Sequence, residues 1–193
     1  MNPAIAMPDA STSRRRRGRL QLVLLLAVVI GPMILASAMY QWRFWVPDSR
    51  SYHGELIGNG LTRADLGVAA EESRWQLLVT TPDACAADCQ QLVFLARQIH
   101  IGLNRDAPRA THALASGQAL EADYDARLRR EYPQLARYAL QPAAHARTAG
   151  EGAGAQLWIV DPHGNLVLRY DSRSKGKGIL DDLRYLLKIS QIG

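Results

Sequence analysis

Two cysteines, Cys85 and Cys89, stand in the run Thr81-Pro82-Asp83-Ala84-Cys85-Ala86-Ala87-Asp88-Cys89, and the chain has no others. Thiols this close share one surface. They can cycle between dithiol and disulfide, or hold a soft cation such as Cu(I) between two thiolates. If a helix starts near Cys85, positions i and i+4 share a face with Cα atoms ~6 Å apart. A disulfide accepts ~4.4–6.8 Å. A thiol near a helix N-terminus also feels the positive end of the dipole, which favours thiolate. Asp83 and Asp88 oppose that locally. Cys85, nearer the helix start, is therefore expected to attack, and Cys89 to resolve. The bland alternative is an inert staple, which oxidising compartments favour. So short a ring removes little unfolded-state entropy, about 2 kcal/mol.

Histidine is the natural third ligand for such a pair. His145, read as lying in a loop ahead of a hairpin, has the best reach and is the expected donor. His100 falls within a helix, His112 in a strand and His163 in a turn, where a solvated side chain is the default. Lys175-Gly176-Lys177-Gly178 lacks the spacing of a phosphate loop. No Ser-His-Asp set or paired catalytic carboxylates stand out.

The elements that must position the cysteines come from apolar periodicity. Trp75–Val79 is a short apolar run, consistent with a buried strand. Gln90 to Leu103 reads as a helix, with Leu92, Val93, Leu95, Ala96, Ile99 and Leu103 in one stripe. Ala110 to Ala115 is expected as a second strand. Glu121 to Tyr138 reads as a helix, with Pro133 bending or splitting it. Residues 156–160 and 166–170 flank Asp161-Pro162-His163-Gly164-Asn165, a hairpin signal. A closing helix is expected from about Gly178 to Ile189. The order β–α–β–α–β–β–α, with a dithiol where the first strand turns into the first helix, is that of the thioredoxin fold. The fold class is therefore α/β: a thioredoxin-like domain preceded by one transmembrane helix.

That helix is written in composition. Leu20 to Met39 holds no charge. Twenty helical residues span ~30 Å, the thickness of a hydrocarbon core. Tyr40, Trp42 and Trp45 follow, as an interfacial belt would. Five arginines precede it against one acid, Asp9, and supply most of the net charge of +5. The positive-inside rule then puts the N-terminus in the cytoplasm. The basic balance is a topology signal, and no nucleic-acid surface is expected. A cleaved signal peptide ending at Ala36-Ser37-Ala38 is the rival reading. The expected layout is a basic cytoplasmic tail at 1–19, a lipid-embedded helix at 20–41, a linker and extension at 42–74, and an extracytoplasmic domain at 75–193.

Over roughly Trp75 to Ile189 the chain resembles the Sco/SenC proteins, thioredoxin-like factors that assist cytochrome c oxidase assembly. The resemblance is carried by Thr81-Pro82-Asp83-Ala84-Cys85 with Cys89, and by Leu157-Trp158-Ile159-Val160-Asp161-Pro162-His163-Gly164. It implies a factor in the bacterial inner membrane with its domain in the periplasm. Such a factor works on oxidase subunits or other assembly factors, carrying Cu(I) on Cys85 and Cys89 or reducing the thiols of the oxidase copper site. Two departures stand out. Thr81 takes the place of the first cysteine in the family's Cys-Pro-Asp-x-Cys core, and Cys89 restores a pair one turn later. The family's histidine ligand, in an Asp-His-Ser before the hairpin strand, is replaced by Gly152-Ala153-Gly154-Ala155. Copper would then sit between two sulfurs or borrow His145.

Two other classes fit the residues. One is a general thiol–disulfide oxidoreductase, which a C-x2-C motif and a proline before the hairpin strand would favour. The chain has Gly154-Ala155-Gln156 there. The other is a redox-dead scaffold for oxidase subunits.

Overall fold

In the computed structural model, helix α1 (Ser11–Trp42) carries the uncharged stretch and runs on through Pro32. The structure describes residues 11–42 and 52–190; Trp45, the start of the predicted linker and the first ten residues of the basic tail lie outside them. Within α1, Arg19–Ala38 has a mean hydropathy of 2.4, long and apolar enough to cross a membrane by length and composition. Its leucines, valines and isoleucines point outward all round. A helix apolar on every face is matched to lipid rather than water.

The chain divides into two units, with the boundary between Ser51 and Tyr52. The second unit is built on a six-stranded sheet. Its strands are β1 (Glu55–Leu56), β2 (Trp75–Thr81), β3 (Ala110–Ser116), β4 (Ala136–Ala139), β5 (Gln156–Val160) and β6 (Leu166–Tyr170), in the order β1-β6-β5-β2-β3-β4. β2, β3 and β4 are parallel; β5 runs antiparallel to β2, and β6 runs antiparallel to β5. Between them lie helices α2 (Ala87–Gly102), α3 (Ala122–Glu131) and α4 (Pro142–Ala149), with α5 (Gly176–Ile189) closing the chain.

All seven residues of β2 are buried. It sits between β3 and β5 with both faces covered, so it reads as a continuous run rather than an alternation. The faces still differ. Leu77 and Val79 meet α2 and α5 through Leu92, Val93, Ile99, Ile179, Leu183 and Leu187. Leu78 meets Leu66, Val68, Ala113, Leu140, Trp158 and Val160 on the opposite face. Two polar residues of β2, Gln76 and Thr80, are fully buried. Gln76 accepts a hydrogen bond from the buried Arg63 guanidinium at 3.0 Å, which ties down the loop before the strand.

The sequence expectations meet the structure unevenly. The hairpin β5–β6 has the predicted bounds and the thioredoxin-like α/β class stands, but a strand and a helix absent from the predicted order, β4 and α4, lie between α3 and β5. The helix expected over Glu121 to Tyr138 is only α3; it stops at Glu131 and the chain forms β4 instead. Pro133 lacks the N–H and has the ring that end a helix. Leu135 packs into the core from the segment that connects α3 to β4. The linker contains β1, and residues read as loop before the hairpin contain α4, opened by Pro142 at its first position.

Candidate redox site at the turn from β2 to α2

The cysteine segment leaves the C-terminal end of β2 at Thr81 and enters α2 at Ala87. Cys85 and Cys89 form a disulfide with a Cα separation of 5.1 Å. The helix starts at Ala87, two residues after Cys85 and three ahead of Gln90, where the sequence reading begins it. Cys85 lies in the turn before it, and Cys89 is the third helical residue. The pair is thus a loop cysteine closed against the first turn of a helix. That brings the Cα atoms closer than the ~6 Å of two helical positions four apart.

The two sulfurs have different surroundings. Cys85 is half-buried at the edge of the core, whereas Cys89 is 1% exposed and packs inside it. A partner reaching the site from solvent meets Cys85 first.

Neighbouring groups fix the turn. Ala86 N–H donates to Ala84 O, and the Thr81 hydroxyl donates to Asp83 O. The Gln90 side-chain amide donates back to the Cys85 carbonyl at 3.2 Å. Gln90 in turn accepts from Arg127 of α3 at 3.0 Å, and that guanidinium lies over the Tyr124 ring. Gly117, just past β3, donates to Thr81 O; a Cβ there would collide with the Pro82 carbonyl oxygen. Gln90, Arg127 and Gly117 were not singled out by the sequence. A glycine at the end of a strand is the one signal that could have pointed to close backbone approach.

His145 sits on α4, not in a loop, and is 1% exposed. Its Nε2 lies 3.1 Å from the Thr80 hydroxyl, which accepts from Trp158 Nε1 at 2.9 Å. Tryptophan can only donate. Thr80 can therefore accept from the indole and donate its own proton to a lone pair on His145 Nε2. Burial lowers the imidazole's pKa below 6.5, in keeping with a neutral ring. His145 thus completes a buried polar chain behind β2. Among the described residues no group of three or more His, Cys, Asp or Glu side chains gathers as a metal site, so the structure does not bring His145 together with the cysteines. His100 stacks on His112 with ring centroids 5.0 Å apart, and His163 is exposed in the hairpin turn.

Residues 75–190 match the family described as transmembrane-like, thioredoxin-like, C-terminal domain, and residues 12–43 match the transmembrane-like, N-terminal domain. No curated protein matches the chain. Among solved structures, yeast Sco1 with copper bound is 11% identical, with a TM-score of 0.49 over 74% of this chain and 96% of that one. Bradyrhizobium japonicum ScoI with copper bound is 15% identical, with a TM-score of 0.42 over 60% and 87%. MTB DsbF is 16% identical, with a TM-score of 0.46 over 65% and 99%.

Proposed function

Because the chain belongs to the family that joins a transmembrane-like N-terminal domain to a thioredoxin-like C-terminal domain, we propose that it is a membrane-anchored thiol–disulfide exchange protein working through Cys85 and Cys89. The observation that carries this reading is the asymmetry of the disulfide: one half-buried sulfur in a turn, one buried in the first turn of α2. In the reduced protein, the Cys85 thiolate attacks one sulfur of a client disulfide. The other client sulfur leaves as a thiolate, and a mixed disulfide joins client and Cys85. The Cys89 thiolate then attacks Cys85, releasing the second client thiol. Two electrons have moved to the client, and the Cys85–Cys89 disulfide is re-formed; a dithiol donor outside the cytoplasm must reduce it again.

The resemblance in the cysteine segment and the hairpin narrows the client. We assign it to the thiols of the copper site of cytochrome c oxidase, on the periplasmic side of a bacterial inner membrane. The same reduced pair would carry Cu(I) as cargo between two sulfurs, since soft thiolates suit that ion. His145 is committed to Thr80 within the core.

The test is a trap. Cys89→Ala in the full chain leaves Cys85 unable to resolve, so a mixed disulfide with the client accumulates and is identified by mass spectrometry. Cys85→Ala accumulates none. Equal trapping by both variants, or by neither, removes the exchange reading; a trapped protein unrelated to the oxidase keeps exchange and removes the assembly role.

A further inference from the structure

The surface that carries the accessible Cys85 continues along α2 to the loop between β6 and α5. Gln91, two residues after Cys89, donates its side-chain amide to the Ser172 carbonyl of that loop at 3.4 Å. A Cβ on Gly176 would collide with the Leu95 side chain. The loop therefore lies against the first turns of α2, at the same end of the sheet as the disulfide. Along the helix axis Gln91 is ~3 Å and Phe94 ~7.5 Å from Cys89, at ~1.5 Å per residue. A protein whose sulfur meets Cys85 covers both.

Two features of this surface have no evident task in the fold. Phe94 is 51% exposed, whereas Leu92, Val93, Ala96 and Ile99 of the same helix are buried. Arg173, Lys175 and Lys177 are exposed on the loop and the start of α5. Arg173 reaches Asp171 at 3.3 Å with 91% of its side chain in water, and exposed pairs of this kind contribute little. Neither lysine has an ion-pair partner among the described residues. They do not stabilise α5 either, because cations at the N-terminal end of a helix oppose its dipole.

We infer that Phe94 and the cationic loop Arg173, Lys175, Lys177 are the docking surface for the protein client, and that the client carries acidic residues a few positions from its reacting cysteine. This rests on the exchange reading. Phe94 supplies an aromatic anchor of the kind that carries binding energy at interface centres. The three cations at its rim supply complementary charge, which speeds encounter and fixes orientation more than it adds affinity. Asp83 and Asp88 make the cysteine turn itself acidic, and both are exposed. The turn therefore repels an acidic segment that the loop attracts. The client is laid in one direction, with its sulfur at Cys85 and its acidic segment over the start of α5.

The experiment uses the reduced full chain in detergent micelles and three peptides, each with one cysteine joined in a disulfide to 2-thiopyridine. Three Glu, three Ser or three Lys flank the cysteine. The Cys85 thiolate attacks the peptide sulfur and thiopyridone leaves, which is read by its absorbance. The Cys89 thiolate then attacks Cys85 and frees the peptide thiol, so the two electrons of the pair end on thiopyridone and peptide. Each rate is divided by the same protein's rate with uncharged 2-hydroxyethyl 2-pyridyl disulfide. At low salt the Glu peptide should exceed the Ser peptide about tenfold, with the Lys peptide slowest. The gap should close toward 1 M salt, where charges are screened within ~3 Å. Changing Arg173, Lys175 and Lys177 together to Gln should bring the three peptides level, and Phe94→Ser should slow all three about threefold. Equal Glu and Ser rates in wild type, a faster Lys peptide, a preference unchanged in the triple variant or an unaltered rate in Phe94→Ser overturns the inference. So does loss of the preference in vesicles containing phosphatidylglycerol but not in phosphatidylcholine, which would assign the loop to lipid headgroups. Reduction of the small disulfide without peptide preference removes the docking surface alone. Failure to reduce even that disulfide removes the exchange reading and this inference with it.

Discussion

The side-chain amide of Gln90 donates to the backbone carbonyl of Cys85 at 3.2 Å, and Gln90 is itself held by Arg127. One side chain of α2 thereby links the turn that carries the accessible sulfur to α3. A neutral hydrogen bond of this kind contributes about 0.5–1.5 kcal/mol net. Gln90→Leu should weaken the oxidised turn by that amount. The midpoint of the pair then rises by ~20 mV, at 30 mV per 1.4 kcal/mol for two electrons. Titration in glutathione buffers reads this; an unmoved midpoint would show that the bond is equally present in both redox states.

Thr80 joins Trp158 to His145 inside the sheet's second face. Thr80→Val keeps the shape and β-branching but strands a buried indole N–H and a buried imidazole nitrogen. Each unsatisfied group costs about 1–3 kcal/mol. Denaturant unfolding should show a loss of at least ~2 kcal/mol on that basis. A neutral effect would mean that water or a rotated ring replaces the hydroxyl.

His145 and His112 both have pKa values lowered by burial, His112 from 6.5 to about 4. Between pH 6.5 and 4 the unfolded chain therefore binds protons that the folded chain refuses. Stability is full above 6.5 and falls as the pH drops through that window. The double variant His112→Gln, His145→Gln should show a flatter stability–pH curve over this range. Melting curves from pH 4 to 8 check this, and an unchanged slope would assign the acid sensitivity to other groups.

Asp182 on α5 gathers four donors: Tyr170 Oη at 2.8 Å, the backbone N–H groups of His53 and Gly54 at 2.8 and 3.3 Å, and His53 Nδ1 at 3.0 Å. It fastens the segment that leads into the sheet. Asp182→Leu should cost about 3 kcal/mol from the stranded buried hydroxyl and backbone groups. Cleavage by a protease between residues 52 and 60 should accelerate with it. Protection equal to wild type would show that β1 pairing alone holds the segment.

If Cu(I) is cargo, both sulfurs are needed. Cys85→Ala or Cys89→Ala should abolish binding by the reduced full chain in a competition titration. His145→Ala should lower stability while leaving the affinity of the folded protein within about twofold, a change under ~0.5 kcal/mol. A tenfold loss of affinity in His145→Ala would make the histidine a ligand after all.

The apolar stretch long enough to cross a membrane, the stripe of α2, the β5–β6 hairpin and the placement of two cysteines where a strand turns into a helix were all legible in the sequence. Each is a local pattern. Absence of charge over twenty residues, a 3.6 period and a Pro-Gly turn declare themselves without reference to the rest of the chain. Tertiary structure decided what depends on distant partners. β4 is four residues with alternating half-burial, and it is a strand only because the edge of β3 is there to pair with it. His145 looked like a loop histidine free to reach the sulfurs. Its burial follows from α4 packing over the face of the sheet that carries Thr80 and Trp158. The difference between Cys85 and Cys89 has the same origin. Their spacing permitted a bridge, but only the start of α2 at Ala87 leaves one sulfur in the turn and puts the other inside the core.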